Sequence, residues 1–579
     1  MANFLPSTPT PSRWRLTLVV MALFLAGLGV IARLVYLQVL EGDNLRNVAW
    51  KRQRTQSPPT HARLPIQDRN GNIVAMDQQT FTLFAHPFLF KVPLPEVVDG
   101  LAPILNVPPE ALTKTLQSDD SGIPVAYELS ETVASQIRDL GLDGLELNLT
   151  WERHYPQQEL LSGVIGYVDR EHQGQAGIEF SQNKLLQPPP SQRLLSMDGS
   201  GLWLPDLAPS DPQTLNQEQH LGLTIDSRLQ RVARNALRQQ MRKFNAQRGT
   251  VIVMSVQDGS LLALATEPAF NPTQYYQANP AFFRNWAVAD LYEPGSTFKP
   301  INVAIALQLK AITPTTVLPD EGRIQVGGWP IQNNDFTTNG GRGALAISQI
   351  LSYSSNVAMV HMMNRIRARD YYDYLQRLGL EAKMGSDLPF ETPGQLKPRE
   401  QFVSYPIEPA TTAFGQGFSL TPLKLAQLTA AIANGGNLVT PHVISGIYRQ
   451  DRQLLQKPNI PPPRQVFAPS TAQAVLAMLG EVVNSGTGKG VKIPGYRIGG
   501  KTGTAQKAIN GTYTNQRITS FIGVFPLNAP RYVVLTVVDD PKGDDAYGST
   551  VAVPVVKAVL EGLITIEGIP PSHPTEIKY

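Results

Sequence analysis

Cysteine is absent from all 579 residues, which excludes disulfides and thiolate metal ligands and suits a domain exposed outside a bacterial cytoplasm. An excess of charge of either sign is missing as well. Fifty basic against 47 acidic residues leave +3, too little for a chain whose main work is gripping a phosphate backbone, so nucleic acid is set aside. No internal repeat with a period of about 20 to 50 residues is visible. His61, His154 and His172 are scattered and form no cluster with carboxylates of the kind zinc requires; no metal or organic cofactor is called for.

What is present belongs to a folded, multi-domain protein. The hydrophobic share of 42% offsets the plentiful Gly (46) and Pro (48) and argues against disorder. The length suggests about three units. From Leu16 to Ala32 the run LTLVVMALFLAGLGVIA carries no charge, and the apolar pattern resumes after Arg33, enough for a helix of about 20 residues that spans a membrane. A cleaved signal peptide fits less well, because the run is too long and no small-x-small site precedes the acidic EGD at 41–43. Arg13 and Arg15 flank one end, while Arg33, Arg46, Lys51, Arg52 and Arg54 follow the other. Charge bias would keep the large domain inside, but long domains translocate largely regardless of it, so function must decide orientation.

The fold class read from the pattern is α+β, with a short tail at 1–13, an anchor at 14–40, an irregular β-rich module at 41–220, a second domain at 221–565 and a flexible tail at 566–579. Asp68-Arg69-Asn70-Gly71 reads as a turn between strands and Pro188-Pro189-Pro190 as a surface connection. Near Leu221 the texture changes: LTIDSRLQRVARNALRQQMRKF has apolar residues at helical spacing behind Asp226, a cap candidate. TVIVMSV and SLLALAT flank the hairpin signal Asp258-Gly259, and far downstream YRIGGKTGTAQ, SFIGVFPL and RYVVLTVVDD read as three more strands. LKLAQLTAAIA and STAQAVLAMLGEVV read as helices between them. A central antiparallel sheet with helices on both faces is predicted.

Chemistry concentrates in Glu293-Pro294-Gly295-Ser296-Thr297-Phe298-Lys299. In a helix starting at Ser296, the hydroxyl and the Lys299 amine lie one turn apart on one face. Serine is a weak nucleophile, and an amine whose pKa is lowered by desolvation or a second cation can take its proton. The spacing alone means little, since Ser181-Gln182-Asn183-Lys184 shows it too. Its company is informative: Ser354-Ser355-Asn356 follows, then Lys501-Thr502-Gly503-Thr504, the single Lys-[Ser/Thr]-Gly of the chain. All three elements stand in the order used by penicillin-recognising serine enzymes. Gly499 and Gly500, inside a strand pattern, suggest close approach of another backbone.

RNWAVADLYEPGSTFKP (284–300), SSNVAM (354–359), GQG (415–417), TPLKLA (421–426) and GGKTGTAQ (499–506) resemble the transpeptidase domain of class B penicillin-binding proteins over about 340 residues. DRNG (68–71), RHYP (153–156) and GQAGIE (174–179) resemble the family's pedestal, or dimerisation domain, with a departure at RLPIQDRNG, where the family more often has Arg-Gly. The resemblance implies a serine D,D-transpeptidase. Ser296 would attack the penultimate D-alanine of a peptidoglycan stem pentapeptide and form an acyl-enzyme, and β-lactams would be covalent inhibitors. Lys299 would accept the hydroxyl proton, Ser354 would relay a proton to the departing D-alanine, and Asn356 would hold the lysine and the substrate amide. Lys501 would supply positive potential. Thr502, Gly503 and Thr504 would bind substrate, and the backbone N–H groups of Ser296 and Thr504 would form the oxyanion hole. A second stem peptide's amine would then resolve the ester.

Glu293 and Asn356 resemble the division type, and an elongation-type enzyme is the alternative. No glycan-polymerising domain fits before residue 221, so the resemblance implies a membrane-embedded SEDS-type polymerase as partner, along with other division proteins. It also places the chain as a single pass in the bacterial cytoplasmic (inner) membrane, N-terminus inside and catalytic domain outside. A β-lactamase would need a deacylating glutamate, and Glu381, Glu391, Glu400 and Glu408 lie in other contexts. A non-catalytic divisome scaffold or β-lactam sensor is opposed by the intact Ser296, Lys299, Ser354, Asn356 and Lys501.

Overall fold

The computed structural model describes residues 13–36, 41, 62–187, 219–509 and 512–572. The tail before Arg13, His61 and Pro188–Pro190 lie outside the described residues. The chain divides into two units, one of residues 1–61 with 189–212 and one of 62–188 with 213–579. In the first, helix α1 (Arg13–Val35) contains the apolar run, and its stretch Thr17–Val35 is long and apolar enough to cross a membrane.

Among the described residues the second unit contains two large sheets and three two-stranded ones. In the larger, a seven-stranded one, Ile73–Ala85 pairs with both Ile123–Leu129 and Leu145–His154, while Ile66–Gln67 connects it to Gln219–Leu223, Ile444–Arg449 and Leu454–Gln456. Ile66–Gln67 runs parallel to Gln219–Leu223. That strand lies across the boundary expected at 220/221, so one sheet joins the β-rich module to the strands that follow. Asp68–Gly71 forms the expected turn: Asp68 accepts N–H bonds from Asn70 and Asn72 at 2.9 Å, and also from Ser227 at 3.2 Å.

Two motif segments of the pedestal, RHYP and GQAGIE, meet Arg63 and Asp77 in a buried ion cluster. Arg63 donates to Glu179 at 2.7 Å, and Arg153 donates to Glu179 at 2.7 Å and to Asp77 at 3.1 Å, with all four side chains at most 1% exposed. Two guanidiniums balance two carboxylates, and Arg153 also reaches Leu64 O at 3.0 Å. The departure at RLPIQDRNG therefore sits beside an arginine that the structure uses as a buried anchor.

The central sheet has five strands: β1 (Arg248–Ser255), β2 (Leu261–Glu267), β3 (Gly499–Ile509), β4 (Thr512–Phe525) and β5 (Tyr532–Asp539), in the order β3-β4-β5-β1-β2, all antiparallel. The helices that position it are α2 (Ser227–Lys243), α3 (Lys299–Gln308), α4 (Asn356–Met363), α5 (Pro422–Ala433), α6 (Pro469–Asn484) and α7 (Gly548–Glu567). Strand alternation feeds two cores. Val251, Val253, Val534 and Val538 pack with α2 and α7, whereas Ile252, Met254, Val533 and Leu535 pack with α3, α5 and α6.

Asp226 caps α2 by accepting the Arg228 N–H at 2.9 Å, and its Leu229, Ala233 and Leu237 stripe is fully buried; each leucine contributes about 1.5–3 kcal/mol by burial. α7 also has the length and apolarity of a membrane span, but Val551, Val555, Val559 and Leu563 are fully buried against α2 and the sheet, so it is a core helix. It runs to Glu567, and Ser572 accepts from Arg497 N–H at 3.4 Å. The segment read as a flexible tail from 566 thus begins helical and tethered.

Removing one partner of a buried pair leaves the other charge uncompensated. Glu179→Ala is expected to destabilise the pedestal by about 3–5 kcal/mol, read as a lower midpoint in urea; an unchanged midpoint would show that the cluster is not structurally required.

Candidate active site

The sequence puts Gly295–Phe298 into a 3₁₀ turn that hands over to α3 at Lys299, in place of a single α-helix beginning at Ser296. The spacing logic survives, because a residue three positions on lies on the same face about one turn away in either geometry. Gly295 has φ +56°, and its N–H donates to Gly415 O at 2.8 Å. Gly415, at φ +89°, has no room for a side chain: a Cβ there would lie 2.0 Å from Gly295 O. The GQG segment, whose role the motif left open, thus seats the nucleophile turn.

Ser354 terminates the helix Ile347–Tyr353 in the left-handed region, φ 60° and ψ 36°. A non-glycine residue held there is strained, of order 1–3 kcal/mol, and such strain concentrates at functional sites. This conformation brings Ser354 Oγ to 3.0 Å from Ser296 Oγ. Lys299 Nζ donates to Ser354 O at 2.6 Å and Asn356 Oδ1 at 2.7 Å and lies 3.3 Å from Ser354 Oγ. Lys501 Nζ reaches Ser354 Oγ at 3.0 Å and Thr502 O at 3.1 Å. The five residues therefore share one hydrogen-bonded network. Among the described residues no hydrogen bond joins Lys299 Nζ to Ser296 Oγ; the Ser354 hydroxyl stands between them.

Both lysines are fully buried. Burial first, and then the positive charge of Lys501, hold the Lys299 pKa well below that of an ordinary lysine, with Asp320 and Asp335 pulling in the opposite direction. Burial brings Lys501 down to about 7. Two ammonium groups around one hydroxyl in a dry pocket repel, so one lysine can be neutral at physiological pH.

β3 is the edge strand of the central sheet and lies against the nucleophile turn. A Cβ on Gly503 would meet Thr297 Cγ2 at 3.0 Å and Pro294 O at 3.3 Å, and one on Gly295 would meet Ala505 Cβ at 3.1 Å. Glycine at 503 thus permits the strand to abut the turn, with Thr504 between these contacts. Thr502 Oγ1 is 2.6 Å from Thr487 Oγ1, and Thr504 Oγ1 accepts the Gly548 N–H at 3.1 Å. Motif reading gave no signal for Thr487 or for Tyr513. The Tyr513 hydroxyl donates to Glu293 at 3.1 Å, and Glu293 accepts Gly417 N–H at 3.0 Å. Both partners are contributed by distant segments. Glu391 accepts backbone N–H groups from Gly385 and Ser386, Glu408 accepts from Gln401, Glu381 lies beside Tyr372, and Glu400 is exposed. None of these four carboxylates is hydrogen-bonded to Ser296.

A buried serine joined through a second hydroxyl to two lysines, beside the edge of an antiparallel sheet, is the arrangement of an acyl-transferring serine enzyme. Comparison with known proteins fits that class. The family described as "Penicillin binding protein transpeptidase domain" matches residues 249–561, and "Penicillin-binding Protein dimerisation domain" matches 60–213. A protein of Mesostigma viride named "Peptidoglycan D,D-transpeptidase FtsI homolog" is 41% identical over 97% of each chain. A peptidoglycan synthetase from Bifidobacterium adolescentis superposes with a TM-score of 0.68 at 24% identity, covering 88% of this chain and 96% of its own. Penicillin binding protein 3 of Mycobacterium tuberculosis, solved with aztreonam, gives 0.66 at 23% identity, covering 90% and 99%. The chain belongs to the class B penicillin-binding protein transpeptidase family, as its motifs implied.

Gly415→Ala is expected to cost about 2–4 kcal/mol, since it adds a clash to an unfavourable φ. Gly435→Ala, at φ +81° with nothing within 4 Å of its Cβ, should cost only about 1 kcal/mol. Thermal unfolding compares them, and equal losses would remove the contact with Gly295 as the reason for glycine at 415.

Proposed function

We propose that this chain is a peptidoglycan D,D-transpeptidase of the septal type, with Ser296 as nucleophile. The observation that carries the reading is the contact series Ser296–Ser354–Lys299, with Lys501 on the same Ser354 hydroxyl. A neutral amine has two N–H bonds and one lone pair. At Lys299 the two shorter contacts, to Ser354 O and Asn356 Oδ1, use the N–H bonds. The lone pair is left for the Ser354 hydroxyl, through which the Ser296 proton moves as Oγ attacks the carbonyl of the penultimate D-alanine. In the reverse sense the same path protonates the departing D-alanine, and later takes the proton from the acceptor amine.

The backbone N–H groups of Ser296 and Thr504 form the oxyanion hole, a role supported by the close packing of β3 on the nucleophile turn. Lys501, Thr502, Gly503 and Thr504 hold the substrate's terminal carboxylate and backbone. β-Lactams acylate the same serine, a reading supported by the match to the penicillin binding protein transpeptidase domain. α1 anchors the chain by a single pass in the cytoplasmic membrane, with residues 1–13 inside and the pedestal (41–220) and transpeptidase domain (221–565) outside. A SEDS-type polymerase supplies the glycan strands. Septal work is supported by Glu293 and Asn356 and by the FtsI naming of the Mesostigma viride relative.

A fluorescent penicillin should label the wild-type protein covalently and leave Ser296→Ala unlabelled; a labelled Ser296→Ala protein would remove Ser296 from the role. The acylation rate should rise with pH, because Lys299 must lose its proton to act, and should level off well below the ordinary lysine pKa of about 10.4. A rate still climbing tenfold per unit through pH 10 would exclude Lys299 as a pKa-lowered base. Depletion in cells should give filaments; round, swollen cells would assign the enzyme to elongation.

A further inference from the structure

Behind the catalytic network lies a buried pair that no motif contains. Asp320 ends the strand Val317–Asp320 and is 1% exposed; Asn333 follows the strand Trp329–Gln332 and is 2% exposed. Asn333 Nδ2 donates to both carboxylate oxygens of Asp320, at 2.8 and 3.0 Å, and Gly322 N–H adds a bond to Asp320 Oδ1 at 2.9 Å. With its amide so fixed, Asn333 Oδ1 faces the start of α4. It accepts Asn356 N–H at 2.7 Å, Val357 N–H at 3.2 Å and the Ser355 hydroxyl at 3.3 Å. Ser355 in turn accepts Ala358 N–H at 3.0 Å. The first three N–H groups of the helix, orphaned by helix geometry, are thus satisfied by Asn333 and Ser355. Gln332 O also accepts Asn356 Nδ2 at 3.0 Å, so residues 332 and 333 grip Asn356 by backbone and side chain at once.

We propose that Asp320 and Asn333 are positioning residues for the transpeptidase reaction: Asp320 orients the Asn333 amide, Asn333 fixes the N-terminus of α4, and Asn356 and Ser354 are thereby aimed at Lys299. The arrangement has the form of an outer layer that orients groups touching the substrate. It has an electrostatic side too. The charged groups that face Lys299 are Lys501 on β3, which disfavours its proton, and Asp320 and Asp335, which favour it; Asp335 is paired with Arg342. Asp320 therefore helps to set the pH at which Lys299 becomes a base. The inference rests on the transpeptidase reading above.

The test is stopped-flow acylation of the full-length protein by a penicillin across pH, with the saturating rate separated from apparent affinity and thermal unfolding recorded in parallel. Asn333→Asp places two carboxylates against each other. It should lower the saturating rate at least about tenfold with affinity changed by less than about threefold, the size of loss that follows damage to orienting groups. Adding Asp320→Asn restores a donor and an acceptor in swapped positions, and the double variant should recover to within about threefold of wild type. Asp320→Asn alone removes a charge that holds the Lys299 proton, so the acid limb of its profile should move to lower pH by about half a unit or more. If Asn333→Asp does not fold, that shift alone decides. A folded Asn333→Asp protein acylating at the wild-type rate, a double variant no faster than Asn333→Asp, or an Asp320→Asn profile superimposed on wild type would each overturn the proposal. A wild-type protein that is not acylated at all would instead overturn the transpeptidase reading.

Discussion

The site depends on a single hydroxyl. Ser354 Oγ lies within hydrogen-bonding distance of Ser296, Lys299 and Lys501, three side chains from two segments distant from its own. Without that oxygen no hydrogen bond among the described residues connects either buried amine to the nucleophile. Burying two lysines is costly unless their charge is shared or surrendered. The hydroxyl lets protons redistribute among neighbours instead of being held on one group, and the left-handed backbone at Ser354 is the strain accepted to place it there.

Around this point the scaffold works by close approach. Glycines at 295, 415 and 503 let the nucleophile turn, the GQG loop and β3 touch backbone to backbone, where any side chain would hold them apart. Rigidity comes from the fully buried α5 and from β5, both without an exposed residue. The seven-stranded sheet gives the pedestal a continuous hydrogen-bonded connection to this scaffold through Gln219–Leu223.

Much of this was legible in the sequence because its signals are local. Asp226 followed by an apolar stripe specified α2, Asp258-Gly259 specified the β1–β2 hairpin, and the order of Ser296-x-x-Lys299, Ser354-x-Asn356 and Lys501-Thr502-Gly503 specified one pocket without revealing its distances. What remained hidden is non-local. Asp320 and Asn333 carry no spacing signature, since their meaning arises only when the ends of two short strands meet the start of α4. Arg153 and Glu179 fell inside recognised motifs and Arg63 in the stretch that departs from the family pattern, yet nothing in their spacing announced a shared buried ion cluster with Asp77. The route from Lys299 through Ser354 was equally invisible, because sequence spacing places Lys299 one turn from Ser296 and says nothing of a third residue between them. α7 shows the opposite hazard: its composition suits a membrane, and only its packing against α2 identifies it as core.

The most direct test of the account is the rate of acylation by a penicillin in Ser354→Ala, measured at saturation and accompanied by thermal unfolding. With the connecting hydroxyl removed, the rate should fall at least about 100-fold, the range expected when positioned proton transfer is lost, while the fold is retained. A Ser354→Ala protein that folds and is acylated at nearly the wild-type rate would contradict it.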